Sequence, residues 1–162
     1  MSNAIMYRMP AGIPGDVTRP SNSTIEPGVY DAAKPFDGFG VPGKIVAEKF
    51  VPLEAGDAAT VIYGLLVRPY PTTSSQDPLG KSTPAKTGVN DILRRGYMTV
   101  LLRAGTSAKG GAVYIRVGSP VTGKPIGGIE AAADGANTII LADASFMGAA
   151  DASGNVEISY KI

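Results

Sequence analysis

Hydrophobic and polar residues alternate with a period of two in several short runs, most clearly across residues 96–117. Met98, Val100 and Leu102 alternate with Tyr97, Thr99, Leu101 and Arg103. After a small-residue stretch, Val113, Ile115 and Val117 alternate with Ala112, Tyr114 and Arg116. Alternation of this kind turns one row onto a core and the other towards solvent or a second layer. The two runs read as a central hairpin whose connection, residues 104–111, draws on its glycines for positive φ values. Residues 44–53 form another such run, ended by Pro52, and residues 59–68 a third, with Gly64 as a bulge position. Shorter strand patterns follow at 124–131, 137–142, 145–149 and 155–162. Residues 89–95 read differently, as one or two helical turns with Asn90 as N-cap and Gly96 as the stop. About eight short strands at close spacing predict an all-β fold, a jelly-roll-like domain or β-barrel.

Residues 1–43 have another texture. Prolines at 10, 14, 20, 27, 35 and 42 alternate with Gly12, Gly15, Gly28, Gly38, Gly40 and Gly43. Proline donates nothing to a β-ladder and pushes its predecessor to extended conformations, so this stretch predicts an extended Pro/Gly-rich N-terminal arm ahead of a domain at 44–162. Disordered linkers are poor in aromatics, yet this arm carries Tyr7, Tyr30, Phe36 and Phe39 among several aliphatic residues. It either drapes over its own domain or docks on a neighbour. A second proline-punctuated stretch, residues 69–88, is longer than compact domains ordinarily tolerate without a role for it.

Composition narrows the chemistry. With 21 glycines and 13 prolines in 162 residues, a helical fold would work against its own sequence. A formal charge of +1 gives no reason to expect nucleic acid or an anionic membrane as partner. Cysteine and histidine are absent, which removes disulfides, thiolate nucleophiles and the usual general base and metal ligand. No apolar run is long enough to span a bilayer, and the N-terminus lacks a signal-peptide core, so synthesis in the cytoplasm is expected.

Several motifs match by letter alone. Residues 118–125 (GSPVTGKP) follow the phosphate-loop pattern until Pro125, which offers neither the hydroxyl nor the N–H that magnesium and a following helix require. Residues 38–43 (GFGVPG) spell a dinucleotide fingerprint without its flanking strand and helix, and read as a flexible hinge. Asp134, Asp143 and Asp151 lack calcium-loop spacing. Asp57, Asp91 and Glu130 are the carboxylates a hydrolase would need, but nothing suggests a sugar cleft around them. Arg94, Arg95, Arg103, Lys109 and Arg116 suggest a basic or salt-bridged face on the central hairpin, with Arg94 and Arg95 the pair to meet an acidic protein partner. No catalytic, cofactor-binding or metal-binding residue is assigned.

The runs VPLEAGDAATVIYGLLVRPYP, LRRGYMTVLLRAG and GGAVYIRV, and the whole segment from Gly123 to Ile162, together with the opening YRMPAGIPGDVTRP, resemble the structural cement, or head decoration, proteins of tailed bacteriophages and prophages. The resemblance implies a β-barrel or jelly roll on the outer capsid surface of the virion, tying together subunits of the major capsid protein. It also implies self-association as a homodimer or homotrimer, with no enzymatic activity. The expected partner contacts are Tyr7, Arg8, Met9, Ile13, Arg19, Phe36 and Phe39 on the arm, with Arg94 and Arg95. The alternative is a low-copy tail, baseplate or head-completion protein.

Overall fold

A computed structural model describes residues 12–69 and 83–162, and among them there is no α-helix, only three single turns of 3-10 helix. Nine strands carry the fold: β1 (Thr24–Val29), β2 (Pro42–Val46), β3 (Lys49–Pro52), β4 (Gly64–Leu66), β5 (Val89–Ala104), β6 (Ala112–Arg116), β7 (Ile129–Glu130), β8 (Thr138–Phe146) and β9 (Asn155–Tyr160).

The 16-residue strand β5 is the spine of two sheets. Its C-terminal half pairs antiparallel with β9 and parallel with β7, and β9–β8–β6–β7 completes a closed ring of five strands. Closure leaves this sheet without an unpaired edge. Its N-terminal half lies between β1 and β4, and β4 continues into β2 and β3. A parallel bridge between Tyr30 and Phe50 brings the end of β1 back to β3. Gly96 sits where β5 passes from one sheet to the other, at φ 141°. A side chain there would collide with Ser23, so this position needs both the conformation and the size of glycine.

Each half has its own core. Inside the ring, Val156, Ile158 and Tyr160 from β9 meet Met98, Val100, Ile115, Ile129 and Phe146, all essentially inaccessible. The second core is aromatic: Phe36 stacks on Phe50 with ring centroids 5.0 Å apart and meets Tyr30 edge-on at 6.3 Å, over Leu66 and Ile92. Each such side chain contributes roughly 1.5–3 kcal/mol by leaving water. Burial also pushes the Tyr30 phenol up to about 12, helped by the nearby Asp91.

The structure corrects several sequence expectations. Residues 89–95 are the start of β5 rather than helical turns, because β1 and β4 satisfy the backbone from both sides and Asn90 pairs with Gly28. The central runs are both strands but not a hairpin: β7 lies between β5 and β6. Residues 44–53 are two strands joined by a tight turn. Only residues 64–66 of the 59–68 run are strand, and residues 137–149 hold a single strand, bent where Asp143 takes φ 55°. Gly40 is packed, not a loose hinge: its N–H donates to the Leu66 carbonyl at 2.9 Å.

That tight turn gives a stability prediction. Ala47 and Glu48 connect β2 to β3 at φ 47° and 64°, both left-handed, as a two-residue hairpin of the I′ kind demands. Residues with a Cβ lose about 1 kcal/mol or more each in that region. The double replacement Ala47→Asn, Glu48→Gly is expected to raise stability by roughly 1–2 kcal/mol, read as a higher midpoint in urea unfolding. An unchanged or lower midpoint would show that the turn is already relaxed.

Candidate functional site

Residues 12–18 fill a seam beside β5. The Gly15 N–H donates to the Thr99 carbonyl at 2.8 Å, the Thr99 N–H to Asp16 at 2.9 Å, and the Thr18 N–H to Tyr97 at 3.1 Å. The Arg68 N–H in turn donates to the Gly15 carbonyl at 2.9 Å. Gly15 is buried at φ 92°, with Phe39 and Arg68 where a side chain would go. Beyond the seam, Arg19 lies over the Tyr97 ring at 3.9 Å and forms an ion pair with Glu157 at 2.9 Å, while the Thr18 hydroxyl donates to the same carboxylate. The hydrogen bond to Glu157 raises the Arg19 pKa despite some desolvation.

Next to this seam opens a cleft of about 540 Å³. One wall is the 35–42 loop with Phe36 and Phe39; the 120–128 loop contributes Pro120, Pro125 and Ile126, and Pro14 lines it from the seam. Two cations, Arg68 and Arg103, also line it, as does Asp37. Among the described residues, no carboxylate forms an ion pair with either arginine.

The expected contact residues are dispersed. Tyr7, Arg8 and Met9 lie outside the described residues. Ile13 is part of the seam and 40% exposed. Phe36 and Phe39 are buried in the chain's own aromatic core and line the inner cleft. Arg94 stacks on Tyr63 at 3.4 Å with Glu26 close by, and Arg95 donates to the Lys161 carbonyl at 3.2 Å. The expected basic face does not form as one patch, because Arg116 is buried at 2% exposure while Lys109 stands in solvent. No pattern in the sequence marks Arg68 as a site residue.

Two of the three candidate carboxylates are held in ion pairs, and Asp91 is exposed on β5. Glu130 is bound by Arg116, and Asp57 pairs with Lys44 at 2.8 Å. Among the described residues no three acidic side chains converge as a metal site would require. Glu54 accepts from Lys34 at 2.6 Å and from Lys44 at 2.9 Å, and those ammonium groups hold its carboxyl at about 2. This lies below its ordinary value of 4.5, so the contribution is complete above pH 4.5 and vanishes as pH falls through 2. The pair is half-exposed and solvent screens it, so the effect is small. Glu54→Gln is expected to flatten part of the fall in melting temperature between pH 4.5 and pH 2. Parallel curves for the two proteins would mean that Glu54 is not what titrates.

A family model described as XM1 gp53 minor capsid protein matches residues 1–160. No curated protein matches the chain. Among solved structures, a chain from the capsid of Myoviridae phage XM1 superposes with a TM-score of 0.68, covering 98% of this chain and 96% of that one. At 17% identity, the likeness shows a shared fold.

Proposed function

We propose, from the fact that the chain belongs to the XM1 gp53 minor capsid protein family, that it is a cement protein. In this reading it binds the outer surface of the major capsid protein lattice of a phage head and stabilises the shell. The family supports a structural, capsid-associated role; attachment to the outer surface, self-association as a dimer or trimer and the identity of the partner are the proposal.

The observation that carries it is apolar surface left bare by the monomer. Val29 and Val89 stand opposite each other at the end of the β1–β5 ribbon, 48% and 73% exposed, with Ile25 at 42% on the same face of β1. Scattered exposed valines are ordinary, but a facing pair on a rigid ribbon makes a surface suited to being covered in an assembly. Many copies on a lattice let each such contact stay small. Residues 44–162 would serve as the peg, with the described part of residues 1–43, which supplies β1 and the buried Tyr30, Phe36 and Phe39, draped onto it.

The test is the molar ratio of this chain to the major capsid protein in purified virions, by quantitative mass spectrometry. A ratio near one-to-one, or a simple lattice fraction of it, is expected. A handful of copies per particle would favour a tail or vertex component instead, and absence from virions would end the reading.

A further inference from the structure

The cleft beside the N-terminal seam has the chemistry of a docking site. Its walls include six prolines, at 14, 35, 42, 52, 120 and 125, whose locked φ angles make them stiff. Stiff walls reduce what must be ordered on binding. At about 540 Å³ it lies within the range of roughly 300–1,000 Å³ typical of sites that bury a ligand. Both arginines bring planar forks that bind a carboxylate through two parallel hydrogen bonds. Elsewhere in the described chain, Arg19 and Arg116 are each satisfied by an acidic side chain; Arg68 and Arg103 are not.

The geometry points to this cleft as the seat of an extended apolar segment of the capsid protein, one that carries an acidic residue clamped by Arg68 and Arg103. The inference rests on the cement reading for the partner's identity and adds the place and chemistry of the contact. Charge argues against the nearest competitor. Residues 1–11, which lead directly to Gly12 and Pro14, hold one arginine and no acidic residue, so they would bring positive charge to two arginines already there. An acidic partner segment neutralises them. Asp37, on the same cleft, leaves the lining one positive charge in excess.

The experiment uses the full chain and phage heads assembled without it, with binding followed by co-sedimentation. The double variant Arg68→Glu, Arg103→Glu is expected to bind at least tenfold more weakly. The charge-matched control Lys86→Glu, Lys109→Glu, at exposed sites outside the cleft, should bind within twofold of the unaltered protein. If the arginine variant melts early, Arg68→Gln, Arg103→Gln replaces it with the same expectation. The chain has no cysteine, so Pro120→Cys bearing a benzophenone label gives a single crosslinking point. Crosslinks to an acidic segment of the major capsid protein support the assignment; crosslinks to residues 1–11 or to a second copy overturn it. If unaltered protein binds heads and both arginine variants bind equally well, the cleft assignment falls and the cement reading stands. If unaltered protein does not bind at all, the cement reading falls and takes the cleft with it.

Discussion

Gly15→Val is expected to lower the melting temperature by roughly 6–12 °C and to release the N-terminal seam. Two costs act together. The backbone at Gly15 has φ 92°, a region that disfavours any Cβ by about 1–2 kcal/mol. The added carbon also points at the Cβ of Phe39, 2.5 Å away, and at the Cβ and backbone nitrogen of Arg68, at 2.9 and 3.0 Å. These are not flexible side-chain ends, so they cannot simply swing aside, and overpacking of this sort adds about 1–3 kcal/mol. The sum, roughly 3 kcal/mol, converts at about 2–4 °C per kcal/mol for a chain of this size.

The loss has a ceiling, because the segment can leave instead of straining. Once detached, residues 12–18 surrender their hydrogen bonds to Tyr97, Thr99 and Arg68, and the valine no longer clashes. Hydrogen exchange separates the two responses. The Thr99 amide donates to Asp16 in the intact seam and should exchange much faster in the variant, while the Ile158 amide in the ring keeps its protection. Unchanged exchange at Thr99 with an unchanged melting temperature would show that the seam does not depend on close approach at Gly15.

The seam also explains what was legible in the sequence. Period-two alternation identified β9 and the C-terminal half of β5, because each packs one row of side chains into a closed ring and leaves the other row facing outward. Alternation failed for residues 89–95 because both faces of β5 are covered at Ile92 and Leu93. Ile92 enters the aromatic core while its neighbour Leu93 enters the ring core, so adjacent apolar residues mimic a helical step. Pairing was less legible than strand position. Only two residues of β7 separate β5 from β6, and no local pattern records so short an insertion. The glycines at 15, 40 and 96 sit at close backbone approaches, yet the sequence reads Gly40 as part of a hinge and Gly96 as a helix stop, because which surfaces approach is a property of the fold. The cleft was legible only in its parts: its prolines and Arg68 and Arg103 are far apart in the chain and meet only when the loops at 35–42 and 120–128 face each other.

Arg116→Met is expected to be the most damaging single change on the described surface or core, at about 3–5 kcal/mol. The guanidinium and Glu130 are both about 2% exposed, with Nε 2.5 Å from one carboxylate oxygen and a terminal nitrogen 3.2 Å from the other. Arg116 donates to Glu130 and to Asp134, and these hydrogen bonds, the one to Glu130 first, raise the arginine's pKa and keep it charged. Removing it leaves Glu130 buried without a counter-charge. Asp134 is about half exposed and can return to water, so the penalty falls on Glu130. Arg116 also donates to the Gly118 carbonyl at 3.1 Å, at the start of the loop that forms one wall of the cleft. A loss of this size is a large share of the roughly 5–15 kcal/mol that holds a typical domain together. The second change is the decisive one: in Arg116→Met, Glu130→Met no charge is left stranded, and most of the stability should return. Urea unfolding of the unaltered protein, both single variants and the double variant closes the cycle, and the expected coupling is at least 2 kcal/mol. A single Arg116→Met variant within 1 kcal/mol of the unaltered protein would mean that Glu130 finds water or another partner, and that the pair is not what fixes this corner of the ring.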